Sequence, residues 1–371
     1  MSLLSLNFRR LVSRIDTNLL GDFENRKILI IESDDWGATR LPSRQIRDEL
    51  IKSGLNLSEE IYTMYDGLES DSDVDDLSEV LSRYKDSEGN HPSFTLNYVL
   101  TNPNYERIKE SEFKLYRREV ITDTYETYSN SKNVLSKVRQ GMVQGYFKVQ
   151  FHGMEHVNVP LWLRLLRNND ELFMAAFNRR CFGLNASSYK GLENIQATYD
   201  SCDEKYILSS IEEGLKLFED LFGYRSTTFI PNNYVWNPKY NDFLIENGVL
   251  GLQGMKYTLV PFCCNKGNRK KIRNKSSFNG HIRQFVRNVD FEQTAANYNL
   301  NNTLAEIDLA FKFSKPAILS SHRINYTSRI SKDVQESGLS ELDKLLSKVL
   351  HRWPSVSFMT TPQYLEYLQN K

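Results

Sequence analysis

Short apolar runs recur along the chain, at Lys27–Ile31, Ser93–Leu100, Tyr146–Phe151, Ser226–Ile230, Val249–Gln253, Ile282–Val286, Ala317–Ser321 and Val356–Met359. Each reads as a buried strand bounded by turn or helix-start signals, and most are followed by a segment of helical periodicity. That alternation predicts parallel strands joined by crossover helices. Roughly seven or eight such units are enough to close a barrel, so the expected fold class is α/β, a single-domain deformed (β/α) barrel with insertions. A doubly wound open sheet is the competing architecture. In the last unit, Val356–Met359 runs into Thr361 as cap and Pro362 as first residue of a helix over Gln363–Leu368.

No internal repeat and no Pro/Ser/Gly-rich linker divides the chain, which predicts one domain over residues 1–371. Within it, 1–22 holds an amphipathic helix, 27–322 the motif-bearing barrel, and 323–371 a C-terminal strand and helices. In the first helix, Leu3, Leu4, Leu6, Phe8, Leu11, Val12 and Ile15 recur at helical spacing among Arg9, Arg10 and Arg14. Docking on the protein's own core is the first reading, and lying on an anionic membrane surface the second. The acidic run Glu69–Asp76 reads as a charged helix start before Leu77–Tyr84.

Lys plus Arg and Asp plus Glu each total 47, leaving a net charge of zero and no overall case for nucleic acid as a partner. One local exception is Lys266–Lys275, with six basic residues, which reads as a solvated loop or as a contact for phosphates or an anionic membrane face. The cysteines Cys181, Cys202, Cys263 and Cys264 lack C-x-x-C spacing and are expected as buried, reduced thiols. With neither a cleavable leader nor an apolar span in the sequence, the expected location is cytoplasmic, with peripheral contact at the inner membrane face or with a lipid-linked glycan as its only membrane role.

The chemistry concentrates in two short motifs at predicted strand ends, Ser33-Asp34-Asp35-Trp36-Gly37 and His152-Gly153-Met154-Glu155-His156. One carboxylate and two imidazoles suffice to hold a divalent metal with positions left open, and a second carboxylate beside the ligand can act as a base. That combination points to a metal-dependent hydrolase using zinc. The letters His-x-x-Glu-His also fit a protease helix with Glu155 as base, but Gly153 and the strand-like Tyr146–Phe151 argue against a helix there.

Asp34-Asp35, His152-x-x-x-His156, Thr228-Phe-Ile-Pro231 and Ile318-Leu-Ser-Ser-His322 together resemble the ordered motifs of the polysaccharide deacetylases, the NodB-homology or carbohydrate esterase family 4 fold. The resemblance implies Asp34 as catalytic base, Asp35, His152 and His156 as metal ligands, and His322 as the acid that protonates the leaving group. It implies an acetylated saccharide as substrate, in surface glycan biosynthesis, contacted by Trp36, Asn232, Asn233, Tyr234 and Arg323. Phe229 stands where that family usually has an arginine steadying the base, and Arg40, Arg287 or Arg323 are the candidates to replace it. Two other readings remain: a metal-dependent glycosyltransferase using Asp34-Asp35, and a catalytically silent carbohydrate-binding relative.

Overall fold

A computed structural model of the chain describes residues 7–55, 61–184, 195–262, 270–274 and 282–371. Its centre is a curled sheet of nine strands, in which every pairing is parallel. Along the sheet the order is Arg283–Val286, Gly251–Gly254, Thr228–Phe229, Phe147–Phe151, Phe94–Tyr98, Ile28–Trp36, Ala317–His322 and Val289–Asp290, with Ser357–Phe358 also paired to Ile28–Trp36. All eight predicted runs contain a strand. The two-residue Val289–Asp290 carries too little apolar sequence to announce itself. The two edge strands follow each other in the chain, separated only by Arg287 and Asn288, so the barrel has one open seam.

Ile28–Trp36 is buried along its whole length because it lies between strands on both sides and helices close its outer face. Side chains alternate across a strand. Ile28 and Ile30 therefore pack inward with Phe285 and Ile318 onto Tyr364 and Leu365 of the last helix, while Leu29 and Ile31 pack with Leu77, Val80 and Leu342 of the outer layer. Period two then puts Glu32 and Asp34 on the inward face, above this apolar plug.

The helix at the C-terminus runs Thr361–Gln369, and its cap is Thr360 rather than Thr361, in a capping box with Gln363. The shift by one residue frees the Thr361 hydroxyl to donate to Glu32 Oε1 at 2.6 Å. The acidic run starts the helix Asp71–Ser82, with Ser70 as cap. Of the basic segment 266–275, only 270–274 falls among the described residues, and Lys271–Arg273 forms an antiparallel hairpin with Tyr257–Leu259. Cys181 is a buried free thiol, whereas Cys202 is disulfide-bonded, so the expectation of reduced thiols fails at Cys202. Among the described residues, no helix is long and apolar enough to cross a membrane.

Gly338 lies in the middle of the helix Lys332–Arg352, where alanine would ordinarily stabilise by about 1 kcal/mol. Here a Cβ would stand 1.8 Å from the carbonyl oxygen of Asn325, so the helix must move off the segment it packs on. Gly338→Ala is expected to destabilise by about 1–3 kcal/mol in urea unfolding, the usual range for overpacking. A stabilised variant would contradict this packing.

Candidate active site

The first strand does not stop before the aspartates but runs through them, and its register with Phe94–Tyr98 shifts between Ser33 and Trp36. A regular strand would send Asp34 and Asp35 to opposite faces. At this bulge Asp35 takes a left-handed backbone, φ +76°, which turns its carboxylate back toward the side that Asp34 faces. Both then line one cavity of about 370 Å³ with Arg40, Tyr62, His152, His156, Asn233, Tyr234 and His322. Asn233 and Tyr234 are also left-handed, φ +53° and +58°, in the turn after Thr228–Phe229 that presents Tyr234 to the cavity.

His152 and His156 come from the irregular segment after Phe147–Phe151, not from a helix, and Glu155 is engaged elsewhere with Arg118 and Tyr206. This rules out the helical protease geometry. Asp35 Oδ1 lies 3.2 Å from His152 Nε2 and 3.1 Å from His156 Nε2. The His152 Nδ1–H donates to the Ile230 carbonyl at 2.8 Å, which aims the Nε2 lone pair at Asp35. Burial and then the adjacent Arg40 push His156 down to about 4, so its ring is neutral near pH 7. The three ligand atoms lie within 4.8 Å of one another, a donor set of one oxygen and two nitrogens that fits a small divalent ion. Arg40 takes the other side of Asp35, donating at 2.7 and 3.1 Å.

Asp34 has a different partner. Arg287, from the seam of the barrel, donates to both its oxygens at 2.7 Å and to Glu32 at 2.6 Å, and Asn97 adds a third donor at 2.7 Å. Burial alone would raise the Asp34 carboxyl, but the bidentate guanidinium overrides it and holds Asp34 at about 2. The same strength of field opposes burial at Asp35, where Arg40 and His156 keep the carboxyl well below its ordinary value. Both neighbours are therefore carboxylates at neutral pH.

His322 ends its strand with Nε2 3.7 Å from Asp34 Oδ2, while Nδ1 hydrogen-bonds to Glu292 and lies 3.1 Å from the Tyr62 hydroxyl. Burial opposes its charge, yet Glu292 and the two aspartates raise it to about 9. A protonated imidazole thus faces an ionised carboxylate across the cavity wall.

The sequence-predicted residues Asp34, Asp35, His152, His156, His322, Asn233 and Tyr234 meet in this cavity. Trp36, Asn232 and Arg323 do not line it. Trp36 is core, donating to Ser33 Oγ at 3.0 Å; Asn232 holds the His152 carbonyl at 2.8 Å; Arg323 is buried between Asp66 and Glu69. Among the three arginines considered, Arg287 is the one on Asp34. Tyr62, Gln196 and Glu292 were missed, and no motif marks any of them.

The family model for glycosyl hydrolase family 57 matches residues 39–354, most of the chain. The chain belongs to glycosyl hydrolase family 57. The match starts just after Asp35 and includes the three histidines. Membership overturns the resemblance to polysaccharide deacetylases and, with it, the expected removal of acetyl groups and its place in that family. An Asp-Asp pair and paired histidines at parallel-strand ends are short patterns, and their order alone did not discriminate between families. The glycosyl-transfer alternative lies nearer to family 57.

No curated protein matches the chain. Among solved structures, a 4-alpha-glucanotransferase from Thermococcus litoralis is similar at a TM-score of 0.47 and 12% identity, covering 92% of this chain. This chain spans only 40% of that protein's length. The alpha-amylase AmyC from Thermotoga maritima scores 0.44 at 9% identity, covering 92% of this chain and 74% of its own. A probable polysaccharide deacetylase from Pseudomonas aeruginosa scores 0.47 at 10%, covering 94% and 92%. At such scores none of them decides between activities.

Among the described residues, Arg287 is the sole guanidinium on Asp34 and Glu32, both buried. Arg287→Met should therefore leave two buried carboxylates without their guanidinium and cost about 3–5 kcal/mol in urea unfolding at neutral pH. A loss below about 1 kcal/mol would show that the pair contributes little.

Proposed function

We propose that the cavity binds a carbohydrate and that the chain cleaves or transfers at a glycosidic linkage, with Asp34 and His322 moving the protons. The observation that carries this reading is Asp34 and His322 facing each other at 3.7 Å in the cavity of a family 57 chain, with Arg287 on the carboxylate and Glu292 on the imidazole. Neither aspartate is a proton donor, since each is held as a carboxylate by its own arginine. The donor to the leaving oxygen is therefore His322, which Glu292 keeps charged and oriented. Asp34 accepts the proton of the attacking oxygen, from water in hydrolysis or from a sugar hydroxyl in transfer. Tyr234 offers a ring for a sugar face.

Asp35, His152 and His156 are proposed to hold one divalent ion. When bound, the ion would supply Lewis acidity toward a substrate oxygen. Calorimetric titration of the apo-protein with zinc should give one site per chain, lost in His152→Ala and in His156→Ala. Unchanged binding in both variants would remove the metal from this account.

Activity is tested on α- and β-linked oligosaccharides, alone and with an acceptor sugar, reading reducing ends and chain lengths. New reducing ends or redistributed lengths support the reading; release of acetate without either would overturn it. Because the acid form of His322 is required, kcat/KM should hold at neutral pH and fall as pH rises through about 9. His322→Gln should lose about 10²–10⁴-fold and flatten that limb. An unaltered limb in the variant would assign it to another group.

A further inference from the structure

The helix Phe8–Asn18 docks on the body by its polar face. Arg10 and Arg14 each donate to Glu306 at 2.7 Å, Arg14 also pairs with Asp290, and Asn18 accepts from Asn288 at 2.8 Å. The buried Glu306 carboxylate explains the choice, since it would otherwise lack a cation. The opposite side carries Phe8, Val12 and Leu19, 79%, 49% and 60% exposed. At spacings of four and seven residues they form one apolar stripe along the helix.

This stripe is where the molecule's exposed apolar surface gathers. Four of the eight large apolar side chains left exposed among the described residues, Phe8, Val12, Leu19 and Phe23, lie in this one stretch, and Tyr257 stands on the neighbouring hairpin. That hairpin is fixed to the helix where Lys256 and Arg273 both reach Asp16, at 3.0 and 2.6 Å. One acidic residue thus meets two cations, and Arg9 of the same helix and Lys270 and Lys271 at the start of the hairpin's second strand are exposed. An otherwise neutral protein has a basic rim beside its apolar stripe.

We propose that the helix Phe8–Asn18 and the hairpin Tyr257–Leu259/Lys271–Arg273 form a docking face for an anionic lipid bilayer, the stripe entering the headgroup boundary and the lysines meeting acidic headgroups. Charge selects this occupant. A second copy of the chain would bring the same basic rim against its twin. Apolar area alone would not distinguish a membrane from a protein, whereas apolar area beside exposed lysines matches an acidic lipid surface.

The test is co-sedimentation of the full chain with phosphatidylcholine vesicles, with and without phosphatidylglycerol, together with light scattering. Binding should require phosphatidylglycerol and weaken with salt. Combined Phe8→Ser, Val12→Ser and Leu19→Ser should reduce partitioning by about tenfold or more, and Lys270→Glu with Lys271→Glu by a similar factor. Neither set should lower the melting temperature, because these side chains are exposed. Absence of binding to either vesicle, equal binding to neutral vesicles, or a dimer abolished by the serine variant would each overturn the proposal.

Discussion

Two adjacent carboxylates buried in one cavity repel each other unless each has its own cation, and the site is built around that requirement. Arg287 serves Asp34 and Glu32; Arg40 serves Asp35 and Asp66; Arg323 serves Asp66 and Glu69. The guanidiniums come from three parts of the fold: the barrel seam, the loop after the first strand, and the turn after His322. Displacing any of them leaves a charge in a region where water cannot compensate it. Five carboxylates share three arginines in this network, and the remaining negative charge is what a cation beside Asp35 would relieve.

The geometry follows from the same constraint. Only a bulge with a left-handed residue lets successive side chains enter one cavity, and aspartate tolerates that backbone better than a branched residue would. The seam matters equally, because Arg287 sits between the two edge strands and can reach inward without crossing a neighbouring strand. Beneath these charges, Ile28, Ile30, Tyr364 and Leu365 form an apolar floor that excludes water from the carboxylates.

Much of this was legible in the sequence. The apolar runs marked eight strands of the sheet, and the Asp-Asp and His-x-x-x-His motifs marked the residues that meet in the cavity, because strand ends and adjacent polar residues are local signals. Partner choices were not local. Which of three arginines reaches Asp34 depends on the seam, and Glu292 follows a strand too short to read. Trp36 looked like a sugar platform but packs in the core with Leu29 and Ile31, away from the cavity, since the bulge that brings both aspartates to one side turns its ring toward Ser33. The helix Phe8–Asn18 was readable as amphipathic, yet which face docks depended on Glu306, far along the chain. Family membership was misread from motif order, because the motifs are short and the match to family 57 is spread over most of the length.

The central claim is that the two neighbours do different work, Asp35 with His152 and His156 as a cation site and Asp34 with His322 as the proton-moving pair. Divalent-ion titration of Asp34→Asn and Asp35→Asn tests it most directly, with circular dichroism confirming that both variants fold. The account predicts that Asp34→Asn binds zinc as the unaltered chain does while Asp35→Asn does not. Loss of the ion in Asp34→Asn with full binding in Asp35→Asn would contradict it.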